Sequence, residues 1–429
     1  MNQEEHPNHL LKYLLLFFVT PFILSCVSYT DQHTTLLNHY KAAQYEEALD
    51  FLETSSLKKS STNRVLYLLE KASILRKLED HKAAEIAFIE ADKAINELYT
   101  KSVLKGAASF VYNDSVTDYD GELFERISIH TLLAFSFIEQ GELQKARVEA
   151  KKINTRLKEF TDELGDKNNS YTEDAFALYL SGIIFETLGE LDDALIDYKR
   201  ALKIYASPHY QNFYRGNIKD QIAKALYPLA LKRGREELVL DLEKAYPDIK
   251  KNGLTGTGEL IVLHESGFIS LKKSKDFFLG TGSQLVRFSY PIISPLWENL
   301  GQTGVFLNDD VFIKSENAAY MSSIAQQTLE EKRLRLVAKS LARVLLKHQL
   351  NRAVSEKLGP LAGLMSNVVT ASTEVSDTRS WMTLPDMLDV TRKRLPAGEY
   401  EVEIITNGHK LKAKKITITK GRITLIKAK

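Results

Sequence analysis

The residues with chemistry to offer fall in a few places along the 429-residue chain. Asp114, Asp118, Asp120, Glu122 and Glu125 lie within a dozen positions, the kind of oxygen-rich set that holds a hard cation such as Ca²⁺. Asp118-x-Asp120-Gly121 is only a fragment of the calcium-loop pattern, however. The same carboxylates serve more simply as caps, turn formers and a polar lattice around Glu125 and Arg126. His264-Glu265 follows an apolar run and has the types of an acid–base pair. It lacks HExxH zinc spacing and a nucleophile in a GxSxG setting, so a structural role is the simpler expectation. Gly253, Gly256 and Gly258 match neither GxGxxG nor a Walker loop and read as a linker. No cofactor or metal is specified, and the chain is expected not to be an enzyme.

Asp377-Thr378-Arg379-Ser380-Trp381 offers a different kind of chemistry. Trp and Arg are favoured at binding hot spots, so Asp377, Arg379 and Trp381 are candidate partner-binding residues. The alternative is that Trp381 plugs the C-terminal β core while Asp377 and Arg379 pair locally. Tyr119, Glu122, Phe124, Glu125 and Arg126, in and after an interrupting loop, complete the candidate partner-binding set. Residues 392–429 carry eleven Lys or Arg against three Glu. That excess suits an anionic surface, or the solvated face and guarded edge of a half-exposed sheet.

Cys26 is the sole cysteine, so the rest of the chain forms no disulfide within itself. Tyr13 to Leu24 is an apolar run interrupted only by Thr20 and Pro21, long enough for a signal-peptide core and short of the ~20 residues that span a bilayer. Ile23-Leu24-Ser25-Cys26 follows and resembles the lipobox of bacterial lipoproteins. The stretch before the run carries Glu4 and Glu5 against Lys12, an unusual head for a leader. The resemblance implies cleavage of residues 1–25 and acylation of Cys26. Val27, with no Asp after the cysteine, implies the outer membrane, facing the periplasm.

Charge excludes other partners. Lys plus Arg number 57 and Asp plus Glu 56, a balance that gives no reason to invoke nucleic acid. The length implies two or three domains.

Residues 34–250 read as a TPR-like helical domain. Four windows place small residues where helices cross: Tyr45/Ala48/Leu52, Leu68/Ala72/Ala84/Phe88, Ala134/Gly141/Ala146 and Leu178/Gly182/Gly189/Ala194/Tyr198. The equivalent alanines, Ala48, Ala84, Ala146 and Ala194, are spaced by 36, 62 and 48 residues, against a TPR period of about 34. The long interval contains the inserted loop 101–126; residues 158–172 are a second, polar insertion.

Beyond Gly253 the pattern turns to short strands, at Leu260–Leu263, Phe268–Leu271 and Gln284–Tyr290. A helix is predicted from about Asn317 to Lys357, completing a mixed region at 253–357. Residues 377–429 read as a small C-terminal β-sandwich-like module. Its strands are Tyr400–Thr406, Lys415–Thr419 and Ile423–Ile426, with a hairpin turn at Asn407-Gly408. "LPAGEYEV" resembles the strand entry of PEGA-type modules.

Several phrases together, LYTKSVLKGAASFVYND, YDGELFERISIH, EQGELQKARVEAKKIN, GELIVLHESG and DTRSWMTLPDMLDVTRKRLPAGEYEVEI, resemble a family of predicted bacterial lipoproteins with a TPR-like N-terminal half. The resemblance implies an α+β multidomain fold and work in the cell envelope, without implying an activity. The expectation is a membrane-tethered scaffold that binds an envelope protein. A glycan- or lipid-binding or processing role for residues 253–400 is the alternative.

Overall fold

The computed structural model describes residues 29, 33–105, 117–164, 173–251, 256–281, 284–295, 301–308, 310–358, 376–411 and 413–428. The expected leader, Cys26 and Asp114 lie outside them, as do 106–116 of the expected inserted loop and 165–172 of the second insertion.

From Thr34 to Ala245 the chain forms helix–turn–helix pairs. They are α1 (Thr34–Lys41) with α2 (Tyr45–Thr54), α3 (Arg64–Lys77) with α4 (His81–Lys105), α5 (Leu123–Glu139) with α6 (Leu143–Leu164), α7 (Ala175–Thr187) with α8 (Leu191–Ala206), and α9 (Ile218–Lys232) with α10 (Glu236–Ala245). One turn geometry recurs in all of them. Ala43, Glu79, Gly141, Gly189 and Gly234 take positive φ, from 58° to 81°. The next residue's N–H reaches back five positions: Gln44 to His39, Asp80 to Leu75, Glu142 to Phe137, Glu190 to Phe185 and Arg235 to Ala230, at 2.8–3.0 Å. That is the Schellman closure, which satisfies carbonyls the ending helix would leave bare. Ala48, Ala84, Ala146 and Ala194 each stand five residues past the positive-φ position and are at most 1% exposed. Val239 occupies that place in a fifth pair, which the alanine spacing did not reveal. The helices are therefore TPR-like pairs at irregular intervals, and α4 takes the chain six residues past Tyr99 into the expected loop.

The two helices of a pair differ in surroundings. Every residue of α5 from Leu123 to Ile138 except the half-buried Arg126 is buried, and so is α7 from Ala175 to Phe185. The second helices α6 and α8 keep an exposed face. The first helices α5 and α7 thus pack on two sides: against their own partners, and against the β strand at Ile423–Lys427.

The β strands build two sheets and a ribbon. The inner sheet has the order β11-β1-β7-β6, from β1 (Thr257–Ser266), β6 (Glu316–Tyr320), β7 (Met387–Pro396) and β11 (Ile423–Lys427). The outer sheet has the order β10-β8-β4-β5, from β4 (Gly304–Leu307), β5 (Val311–Lys314), β8 (Gly398–Thr406) and β10 (Lys414–Ile418), with β9 (His409–Lys410) beside β8. Among the described residues, strands β2 (Lys273–Thr281) and β3 (Gln284–Ile292) pair with each other as a separate two-stranded ribbon. Helix α11 (Met321–Leu358) lies against β3.

This arrangement corrects the division into a 253–357 region and a separate 377–429 module, because both sheets mix strands from the two segments. The cause lies in β1, where Leu260, Ile261, Val262 and Leu263 are all 0% exposed. A strand apolar on both faces must be central and covered twice. Ile261 and Leu263 join the helical core, while Leu260 and Val262 join a smaller core with Val305, Val402, Ile404 and Ile418. Its neighbours β7 and β11 come from the C-terminus, so the layers run helices, inner sheet, outer sheet. Two further boundaries differ from expectation. Residues 268–271 form no strand, and 316–320 form β6 before α11 starts, its first turn held by Asp386, which accepts from Ser322 N–H at 2.7 Å and Ser322 Oγ at 2.6 Å.

Two substitutions test the helix pairs. A Cβ on Gly182 would stand 2.5 Å from the Tyr198 ring. Gly182→Ala is expected to lower stability by about 1–3 kcal/mol despite the better helix former. Glu79→Gly should raise it by about 0.5–1 kcal/mol by relieving a left-handed side chain. Urea midpoints read both, and an unchanged midpoint in the first would refute the packing.

Candidate functional site: the junction of helices and inner sheet

A set of buried charged side chains gathers where the helix array meets the second half of the chain. The pattern begins at the start of α5. Glu-Leu-Phe-Glu gives a capping box, with the Glu122 side chain accepting from the Glu125 N–H and Glu125 Oε2 accepting from the Glu122 N–H at 2.9 Å. Both carboxylates have further work. Glu125 is 0% exposed; its Oε2 accepts from the Tyr119 hydroxyl at 2.5 Å and its Oε1 from the Trp381 N–H at 2.8 Å. Burial pushes the Glu125 carboxyl upward. Glu122 instead receives Lys272 Nζ at 2.7 Å and Lys332 Nζ at 2.5 Å, and these cations overcome its burial and hold it well below the usual range.

Glu70, in the middle of α3, performs the matching task one pair earlier. It is 0% exposed and accepts from Met382 N–H at 2.7 Å, Thr383 N–H at 3.2 Å and Thr383 Oγ at 2.6 Å. Burial outweighs these donors and pushes its carboxyl up to about 7. Trp381 lies between the two carboxylates. Its indole N–H donates to Ser73 Oγ at 2.9 Å, and its ring meets Phe88 edge-on with centroids 5.8 Å apart. Arg379 forks onto Asp377, donates to Asn63 Oδ1 at 3.1 Å and the Thr117 carbonyl at 2.9 Å, and lies over the Tyr119 ring.

Two more locks stand further along the array. Glu265, at the end of β1, receives Arg76 and Lys77 of α3 at 3.0 Å each, with Lys427 of β11 at 3.8 Å. These cations hold Glu265 far below its ordinary value despite burial. Arg392 of β7, its side chain 2% exposed, bridges Glu186 of α7 and Glu259 of β1 at 2.7 Å each and donates to Tyr198 Oη of α8 at 2.9 Å.

The candidate partner-binding residues are therefore brought together, but turned inward. Tyr119, Phe124, Glu125, Arg379 and Trp381 are at most 6% exposed, and Tyr119 and Glu125 meet Arg379 and Trp381 across the joint between the two halves of the chain. Glu122 pairs with two lysines, Asp377 with Arg379, and Arg126 with Asp120 at 2.8 Å. Trp381 is indeed a plug, set against α3 and α4 rather than within the β core. Of the acidic cluster, Glu122 and Glu125 serve the same joint, whereas Asp118 and Asp120 are exposed and Asp120 pairs locally with Arg126; among the described residues no group of His, Cys, Asp and Glu has the arrangement of a metal site. His264 is 0% exposed, lies between Thr391 and Thr406, and is pushed down to about 3 by burial, so it is a neutral core group at neutral pH. Its neighbour Glu265 is spent on cations.

Sequence reasoning missed Glu70, Ser73, Arg76, Lys272, Arg392 and Lys427. A charge inside an apolar run is the signal that marks Lys427 in ITLIKA, and more weakly Glu70 in VLYLLEKASIL, where Lys71 follows it. Arg392 gave none, because Arg-Lys-Arg reads as a solvated turn.

No family model matches the chain, and no curated protein matches it. Solved structures give partial likenesses. MamA of MSR-1 matches with 14% identity over 51% of this chain and 95% of that one, at a TM-score of 0.28. BtubC from P. vanneervenii matches with 16% identity over 52% and 77%, at 0.31. A Rap protein solved with competence and sporulation factor matches with 15% identity over 58% and 68%, at 0.29. Such low scores bear on no function, and the TPR-like reading stands on the repeated turns.

Glu70 and Arg392 yield predictions. Between its ordinary 4.5 and about 7, the folded Glu70 holds protons that the unfolded chain releases. Stability through this group is thus greatest below about 4.5 and falls as pH rises toward 7. Glu70→Gln should flatten that decline in denaturation curves taken from pH 5 to 8; an unchanged slope would refute the buried carboxylate. Arg392→Ala, which strands Glu186 and Glu259, should cost about 3–5 kcal/mol.

Proposed function

We propose that this protein is a scaffold of the bacterial envelope, tethered by lipid on Cys26, that holds a protein partner on the outer face of its helix array. The leader and lipobox support the tether and the outer-membrane location. Occupation of the first helices by the chain's own inner sheet directs the partner outward, away from the groove that a TPR-like array would otherwise offer.

The observation that carries the reading is a register coincidence. Ile86, Val148 and Ile196 each stand seven residues past the positive-φ turn residue, on α4, α6 and α8. They are 50%, 48% and 53% exposed. Single exposed apolar residues are ordinary, but three at one repeat-equivalent position form a surface pattern. Asp50 and Asp241 hold the same place in the flanking pairs, giving the stripe charged ends.

Photo-cross-linking residues placed at 86, 148 and 196 in cells should give one shared adduct, absent from a control at Lys203 on the same array. Ile196→Glu should abolish it while changing stability by less than about 0.5 kcal/mol. Absence of an adduct at all three positions would remove the proposal. Cys26→Ala should leave an unprocessed chain lacking acyl mass.

A further inference from the structure

Three features unexplained by the proposed function meet at one end of the junction. The first is Tyr29, whose hydroxyl is buried in the field of Glu70 and Glu125. Its ring stacks on His33 with centroids 4.7 Å apart, and its carbonyl lies 2.9 Å from His33 Nδ1. Cys26, the expected anchor, precedes it by three residues in the sequence.

The second feature is the β2–β3 ribbon, which pairs Phe277 with Phe288, Phe278 with Arg287 and Leu279 with Val286. A lone two-stranded hairpin is marginal in water and needs something to lie against. At its described base Phe277 and Tyr290 stack at 5.3 Å, both half-buried, with Lys275 Nζ 5.6 Å from the Phe277 ring. Aromatic rings flanked by lysine are the chemistry of a membrane–water boundary. The third is α11, against which β3 packs. From Lys332 to Lys357 it holds eight Lys or Arg against one acidic residue, Glu356, interleaved with Leu, Val and Ala. Leu334 there is 79% exposed. A run of basic residues like this one is complementary in charge to an anionic membrane surface.

Glu122 ties the three together. It receives Lys272, one residue before β2, and Lys332 of α11, and its own N–H bonds to Glu125 beside Tyr29. Ser376 also donates to Ser274 of β2 at 2.9 Å.

We propose that the β2–β3 ribbon and the basic length of α11 form a contact element for an anionic phospholipid bilayer, laid on the membrane beside the lipidated N-terminus. The location rests on the reading of Cys26 as the anchor; the surface chemistry does not. The tether would then set orientation as well as address, holding the exposed stripe of second helices at a fixed attitude to the bilayer.

The test uses the full chain, purified from membranes and placed in vesicles of phosphatidylglycerol and phosphatidylethanolamine with brominated acyl chains. Acylated Cys26 offers no thiol, so a fluorophore on Thr281→Cys or, as control, Lys420→Cys is unique. The label at 281 should be quenched several-fold more than that at 420, and Arg343→Glu with Lys347→Glu should remove most of the difference. Equal, weak quenching at both sites on vesicle-bound protein would overturn the proposal while leaving the anchor intact. Energy transfer between labels at 281 on different copies, without bromine quenching, would overturn it in favour of self-association. Mass spectrometry of Cys26 separates the two readings: preferential quenching at 281 in a chain free of acyl mass, or in Cys26→Ser, sustains the bilayer contact and removes the tether.

Discussion

A carboxylate withdrawn from water must be given hydrogen-bond donors or cations, and it cannot go without them. In this protein Glu70 stands in the middle of α3 and Glu125 in the first turn of α5, and both accept from backbone N–H groups at Trp381, Met382 and Thr383, more than 250 residues further along. The helix array therefore cannot complete its own interior. It depends on the C-terminal segment to satisfy its buried charges, just as Glu265 and Glu259 of the inner sheet depend on Arg76 and Arg392. Breaking one partner of such a pair costs far more than forming the pair gains. The joint is consequently selective for one docking register rather than a source of large net stability.

That dependence shapes what the array can do. In a chain whose repeats were free, the first helices would line an open face. Here α5 and α7 are buried along nearly their whole length, and the sheet that covers them is itself covered by a second sheet. Binding must use what is left: the exposed faces of the second helices, and the ribbon and basic helix at the end where the chain enters. The two surfaces suit different partners, one neutral and apolar, the other cationic with aromatic rings.

Much of this was legible in the sequence, for identifiable reasons. The crossing alanines and the turn glycines at 141 and 189 marked the pairs, because close helix approach and left-handed backbone each demand a residue type. Asn407-Gly408 marked its hairpin on the same ground, with φ of 55° and 79°. The continuous run Leu260–Leu263 was visible as a strand, but that it needed two neighbours from elsewhere in the chain was not. Strand β7 was hidden because Asp389, Arg392 and Arg394 break its alternation, and their partners Asn317, Glu186 and Glu259 are remote in sequence. Trp381 and Arg379 had the composition of a binding hot spot, and they do form an interface, within the chain. Composition cannot distinguish an interface with a partner from one with a distant segment of the same polypeptide.

Native-state hydrogen exchange at the Trp381, Met382 and Thr383 amides tests the central claim most directly, since these N–H groups join the halves without belonging to any helix or strand. The account predicts exchange only through global unfolding, with protection matching that of α5 and α7 and lost at Trp381 in Glu125→Ala and at Met382 and Thr383 in Glu70→Ala. Rapid exchange in the wild-type chain, at the rate of an exposed loop, while α5 and α7 stay protected, would show that the helix array completes itself without the C-terminal segment and would contradict it.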